Sequence, residues 1–181
     1  MGHLGSDGRP FSEQDMERLE LALVSLLEQL PGTAPEALSL ACLQEWHRTL
    51  SAGLARMQPG EFRGQDISFG SFLGTSPQNI MAELTALLAQ HQAALPRLAA
   101  SEEEVVWHAT RTHAELIRIH PFWDGNGRLA RAVQAWICWS YGLRAPRYTH
   151  RAAYLAGLNR YHHTRQMHLL MQVTWEALKT P

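Results

Sequence analysis

Cysteine is nearly absent: the 181-residue chain has two, Cys42 and Cys138, both in apolar helical pattern. That excludes a disulfide framework and fits buried thiols of a reducing compartment. No apolar run approaches the roughly 18 residues of a membrane-spanning helix, and the N-terminus lacks the apolar stretch of a signal peptide. Excess charge is missing as well. A formal net charge of -1 and a pI near 6.8 argue against a general binder of nucleic acid or anionic membrane. Zinc-helix spacing is absent, because His108, His113 and His120 do not form an i, i+4 pair, and His162, His163 and His168 have no cysteine or carboxylate cluster beside them. There is no repeat, low-complexity tract or internal linker. The expectation is a cytoplasmic protein with a flexible Gly-rich segment over residues 1–11. Residues 12–180 then form one domain, long enough to bury a core.

What the chain does have is helical periodicity. Ser12, followed by Glu13 and Asp15, predicts a helix start, and Leu19, Leu23, Leu26, Leu27 and Leu30 continue it to Pro31-Gly32. A second helix is expected from about residue 35 to 55, with Leu38, Ala41, Cys42, Trp46 and Leu50 inward. Ser76-Pro77 opens a third, which Ile80, Leu84, Leu87, Leu88 and His91 carry to about Leu95-Pro96. Ser101 with Glu104 caps a fourth, with Val105, Ala109, His113 and Leu116 inward. Residues 129–141 are apolar on nearly all sides and should lie centrally. Two last helices are expected at about 150–161 and 164–178. The fold class is all-α, with one exception. In residues 59–75, Ile67-Ser68-Phe69 alternates, Gly70-Ser71 can turn and Phe72-Leu73 can return, a short β-hairpin signal whose competing reading is an ordinary loop.

Chemistry concentrates in HPFWDGNGRLAR, residues 120–131. Arg128 and Arg131 fall in the first turns of a helix, where the macrodipole already presents positive charge. Two cations there are locally unfavourable unless an anion joins them. Gly125, Asn126 and Gly127 allow backbone N–H groups to converge into an anion nest, with asparagine tolerant of left-handed geometry. A polyphosphate suits this combination. Asp124 beside it would repel such a guest unless a cation bridges them, and Mg²⁺ commonly takes one or two carboxylates plus phosphate oxygens. His120, at the end of the preceding helix, suits a general base, and Phe122 a core plug. Each residue alone has a plainer reading, as helix end, turn or solvated face; their fixed conjunction favours nucleotide chemistry.

The stretch matches the Fic signature HPFx(D/E)GNGRxxR at every fixed position, and the chain resembles a Fic domain over roughly residues 10–180. GEFRGQDISFG resembles the approach to the family's β-hairpin flap. The resemblance implies a Fic-type helical bundle that transfers AMP from ATP to a Ser, Thr or Tyr hydroxyl of a target protein. On that pattern His120 would be the base and Asp124 the Mg²⁺ ligand. Gly125, Asn126, Gly127 and Arg128 would hold the phosphates, Arg131 the γ-phosphate, and the flap residues Ile67, Ser68 and Phe69 would dock the target as an added strand.

Two departures qualify the resemblance. The family's inhibitory (S/T)xxxE(G/N) has no counterpart, since no glutamate here follows a Ser or Thr by four residues. A separate antitoxin-like partner, a longer parent chain or another control is therefore expected. The family's frequent Ala-Asn-x-Gly is replaced by Tyr161-His162-His163, which keeps another nucleotide or phosphocholine open as the transferred group. A repressed or inactive toxin-side module is the alternative outside enzymes. His113 reads as a core histidine, Trp107, Trp136, Trp139 and Trp175 as packing, and Trp123 as exposed at the site mouth.

Overall fold

The computed structural model describes residues 5–70 and 72–180. Seven α-helices and one two-stranded hairpin make up its main elements: α1 (Glu13–Gln29), α2 (Leu40–Leu50), β1 (Ser68–Phe69), β2 (Phe72–Leu73), α3 (Ile80–Leu98), α4 (Glu102–Ile119), α5 (Asn126–Ser140), α6 (Arg151–Thr164) and α7 (His168–Lys179). The Ser12 hydroxyl accepts from the Asp15 N–H while the Asp15 carboxylate accepts from the Ser12 N–H, a reciprocal cap that starts α1 as expected. Leu19, Leu26 and Leu30 are buried along it.

The second helix is shorter than its periodicity predicts. Residues 35–37 form a single 3₁₀ turn, and Ser39 is extended with its hydroxyl on the Cys42 N–H, so the helix restarts at Leu40. Ala52 and Gly53 are left-handed and end it beyond Leu50. Its buried face is Leu43, Trp46, His47 and Leu50, whereas Ala41 is exposed and Cys42 half-buried. Helix α3 runs past Leu95 to Leu98 with Pro96 in its last turn. Arg165, left-handed, closes α6 three residues later than expected, so α7 begins at His168. Tryptophan is not uniformly internal: Trp136 is fully buried, but Trp107 is 40% exposed beneath the Arg111 guanidinium.

Helix α5 is buried along most of its length, as its all-round apolarity requires, and it packs chiefly on α4, itself buried from Val105 to Ile119 on three sides. Most polar groups named in this centre are paired, although His113 Nδ1 is buried without a hydrogen-bond partner among the described residues. Gln134 bonds Thr110 and Tyr148, Tyr148 bonds Thr174, and His113 meets the Tyr154 hydroxyl at 3.0 Å. The loop joining α4 to α5 therefore starts and ends on the two most deeply seated helices, which fixes its position.

The β-hairpin is formed, with Ser68 opposite Leu73 and Phe69 opposite Phe72. Gly70 has φ +59, the conformation a tight hairpin turn demands; Ser71, the second expected turn residue, lies outside the described residues. Ile67 is outside the strand and buried, its carbonyl accepting from the Gly74 N–H.

Candidate active site

His120 ends α4 in the left-handed conformation (φ 52, ψ 57), and the turn this makes throws its ring out of the helical path. Its Nδ1 lies 3.1 Å from the Ile117 carbonyl, which can only accept, so Nδ1 carries the proton and Nε2 keeps a free lone pair. Phe69 of the flap stacks on the ring at 4.0 Å and 11°. Burial pushes the imidazole down to about 4, with Arg63 adding to the effect and the Ile117 carbonyl opposing it. A neutral ring at pH 7 follows.

Beyond it the loop is closed by Asn126. Its Oδ1 accepts from the Phe122 N–H at 2.9 Å and its Nδ2 donates to the Phe122 carbonyl at 2.8 Å. The side chain is thus spent inside the loop, and the left-handed residue is Gly125 (φ 76), so the tolerance of Asn126 for that geometry is not used. Gly125 takes φ 76 at the N-terminal cap of α5, a conformation its lack of a Cβ permits without strain, and the Arg128 and Leu129 N–H both return to its carbonyl. The N–H groups of Asn126 and Gly127 then have no intrahelical acceptor and mark the helix's positive end. Phe122 is fully buried between Phe62 and a stacked His47 ring. Trp123, expected to be exposed, is half-buried.

Asp124 turns one carboxylate oxygen back onto the Gly125 N–H at 2.6 Å and leaves Oδ2 facing outward, 3.1 Å from the Ser6 N–H. Residues 5–11 run past this point, tied down by Arg56, which donates to Asp7 and to the Arg9 and Pro10 carbonyls and lies over the Phe11 ring. His120, Asp124, Gly125, Asn126, Gly127, Arg128 and Arg131 all line one cavity of about 380 Å³ whose far wall is α1, including Leu19, Glu20 and Leu23. Gly127 and Arg131 also line a second cavity of about 640 Å³, between the flap residues Phe69 and Phe72 and the α6 residues Tyr154, Leu158, Asn159 and His162. The predicted residues therefore converge, with Arg131 between the two chambers. Of the flap residues Ile67, Ser68 and Phe69, Phe69 lines the second chamber and the other two line neither.

Three participants were not foreseen. Arg63 is 2% exposed and has no carboxylate among its hydrogen-bond partners. Its Nε donates to the His120 carbonyl at 2.6 Å, and its terminal nitrogens reach the carbonyls of Gln65, Thr75 and Ile119. With the Arg63 N–H on Pro121 and the Thr75 N–H on Ile119, both feet of the flap are fixed to the end of α4. Gly74 leaves the room for it, since a Cβ there would stand 2.6 Å from the guanidinium. His47 and Glu20 are the others. A histidine one position past Trp46 on a buried stripe, and a lone arginine in GEFRG, were the only signals for the first two. Nothing marked Glu20.

Among the described residues no three His, Cys, Asp or Glu side chains converge as a ready metal cage. Asp124 lines the cavity together with the first turn of α5, and its Oδ2, which here accepts from the Ser6 N–H, is the carboxylate oxygen that would suit a metal arriving with phosphate oxygens in place of that N–H. The thiols are not nucleophiles: burial raises Cys42 to about 11 and Cys138 to about 12.

Comparison with known proteins bears on this site directly. The Fic/DOC family model matches residues 37–138, more than half of the chain and the whole α4–α5 loop. The chain is 28% identical over 132 residues to the protein adenylyltransferase Fic of Drosophila willistoni, covering 70% of this chain and 24% of that protein. It thus spans about a quarter of the length of the curated relatives it matches. The fold resembles a Fic domain containing signaling protein from Bacteroides thetaiotaomicron (TM-score 0.77, 20% identity, 94% of this chain and 72% of that one). It also resembles the ADP-bound N-terminal Fic domain of a cell filamentation protein from Bartonella quintana (TM-score 0.73, 15% identity, 97% and 90%). With its signature loop inside a family match that covers more than half of the chain, the chain belongs to the Fic/DOC family.

Proposed function

We propose that the chain transfers AMP from ATP to a hydroxyl side chain of a target protein, a Ser, Thr or Tyr docked along the flap. The observation that carries this reading is the neutral His120 ring with its Nε2 lone pair free, in one cavity with Asp124 and the first turns of α5. The name of the Drosophila relative and the nucleotide held by the Bartonella quintana domain support it. His120 Nε2 takes the proton of the target hydroxyl, whose oxygen forms the new bond to the α-phosphorus while the bond to pyrophosphate breaks. The N–H groups of Asn126 and Gly127 and the guanidinium of Arg128 hold phosphate oxygens, and Arg131, shared by both chambers, orients the chain of phosphates. Asp124 Oδ2 would hold Mg²⁺, which supplies charge neutralisation across the phosphates. The base of the nucleotide fits the larger chamber, against Tyr154 and His162.

The flap offers β1 for pairing, and Phe69 joins it to the base by stacking, so a docked hydroxyl and Nε2 share one rigid support. Control by a separate antitoxin-like partner, by a segment of a longer parent chain or by other means remains part of the proposal, since residues 1–181 contain no (S/T)xxxE(G/N) stretch. The test is incubation with Mg²⁺, a lysate and ATP labelled at the α- or the γ-phosphate. Label entering protein from the α position alone supports AMP transfer. Label from the γ position alone replaces it with a kinase activity, and no label at all, with ATP still bound, favours an inactive binding module.

A further inference from the structure

His47 lies on α2, 77 residues from the loop it touches, and is fully buried. The Gly60 N–H donates to its Nδ1 at 2.9 Å. A peptide N–H can meet only an unprotonated ring nitrogen, so the proton of the neutral ring sits on Nε2. That Nε2–H donates to the Asp124 carbonyl at 2.9 Å. The ring lies flat on Phe122 at 3.8 Å and 8°, and a Cβ on Gly125 would stand 3.4 Å from Nε2, so the loop runs flush against it. Gln44, one turn earlier on α2, holds the Gly60 carbonyl at 2.8 Å, which fixes the donor that selects the tautomer.

The carbonyl of Asp124 and the N–H of Gly125 belong to one planar peptide unit and point in opposite directions. His47 grips the carbonyl end. The N–H end donates to Asp124 Oδ1, which leaves Oδ2 of this cavity-lining residue as the oxygen turned away from the loop, where it accepts from the Ser6 N–H. We infer that His47 is a positioning residue: by holding the Asp124–Gly125 peptide plane through Nε2–H, it aims the Asp124 carboxylate at the metal that accompanies the nucleotide. This rests on the reading of Asp124 as metal ligand made above. Groups that orient a ligand from behind commonly change metal affinity about 10- to 100-fold when removed.

Glutamine and asparagine separate the two ring contacts. In His47→Gln the side-chain amide can donate where Nε2–H does, and in His47→Asn the side-chain oxygen can accept from Gly60 where Nδ1 does. The readout is calorimetric affinity for a non-hydrolysable ATP analogue with Mg²⁺ and with EDTA, and the quantity of interest is the Mg²⁺-dependent gain. His47→Gln should keep that gain within about threefold of the wild type, whereas His47→Asn and His47→Ala should lose about tenfold or more. Equal gains in all three variants, or a larger one in His47→Asn, would overturn the assignment and leave His47 as packing. Should the variants not fold, the wild-type chain labelled at its histidines supplies a second readout. The His47 Nε2 proton should shift in NMR when Mg²⁺ joins bound nucleotide, and an unmoved proton overturns the role. A wild-type chain with no Mg²⁺-dependent gain, or with the gain intact in Asp124→Ala, instead overturns the underlying reading of Asp124, and the role of His47 falls with it.

Discussion

The Nε–H of Arg63 donates to the backbone carbonyl of His120 at 2.6 Å, joining the flap's first foot to the residue proposed as base. The same guanidinium serves Gln65, Thr75 and Ile119, so one buried cation satisfies carbonyls from three segments. A lysine keeps the charge but has neither the reach nor the fork for these partners. Arg63→Lys should reduce transfer to protein by about tenfold or more while ATP affinity stays within about threefold. Arg63→Met, which strands several carbonyls, should cost about 3 kcal/mol or more in urea denaturation. Equal loss of ATP affinity and of transfer would contradict a role centred on the flap and His120.

Asn126→Ala removes both hydrogen bonds that close the loop on Phe122. The Phe122 N–H and carbonyl would be left buried and unsatisfied, at about 1–3 kcal/mol each. Asn126→Asp keeps the acceptor but sets a carboxylate oxygen against the Phe122 carbonyl, and should be no better. Denaturation midpoints of the two variants, compared with wild type, check this.

Much of this loop was readable because its determinants are consecutive. His120, Asp124, Gly125, Arg128 and Arg131 are spaced by the local geometry of a helix end, a turn and a helix start, and α4 and α5 on either side announce themselves by periodicity. The side-chain conformation of Asn126 was not readable, because residue type alone permits either a left-handed backbone or a hydrogen-bonded clamp. Arg63 and His47 were not readable as site residues for another reason: their partners lie 57 and 77 residues away, and only the packed fold brings them together. The early start assigned to α2 failed because the Ser39 cap competes with continuation of the preceding turn.

Several histidines are folded in neutral form. Burial lowers His47, His108 and His120 to about 4 and His113 to about 3, and it lowers His91, whose Nδ1 meets His108 Nε2 at 2.9 Å. Unfolded, each titrates near 6.5, so between pH 6.5 and 4 the unfolded chain binds more protons than the folded one. Their stabilising contribution is therefore complete above pH 6.5 and is lost as pH falls through that window. Thermal melts should be flat from pH 8 to 7 and drop progressively below 6.5. A midpoint unchanged down to pH 5 would contradict the buried neutral assignment.

Glu20 on α1 lines the same cavity as Arg128 and Arg131. Its carboxylate opposes an incoming triphosphate, and because Glu20 is exposed, salt weakens its influence. Glu20→Gln should tighten ATP binding by about two- to fivefold at low ionic strength, with the difference shrinking as salt is added. Unchanged affinity at low salt would place the phosphates away from α1.

The central claim is that His120 acts on the target hydroxyl and not on the nucleotide. It is tested most directly by following α-phosphate label into protein with wild type and His120→Ala, while ATP affinity is measured on both. Loss of labelling by about 100-fold or more with ATP affinity nearly unchanged is the predicted result. A His120→Ala chain that still labels protein at the wild-type rate would contradict it.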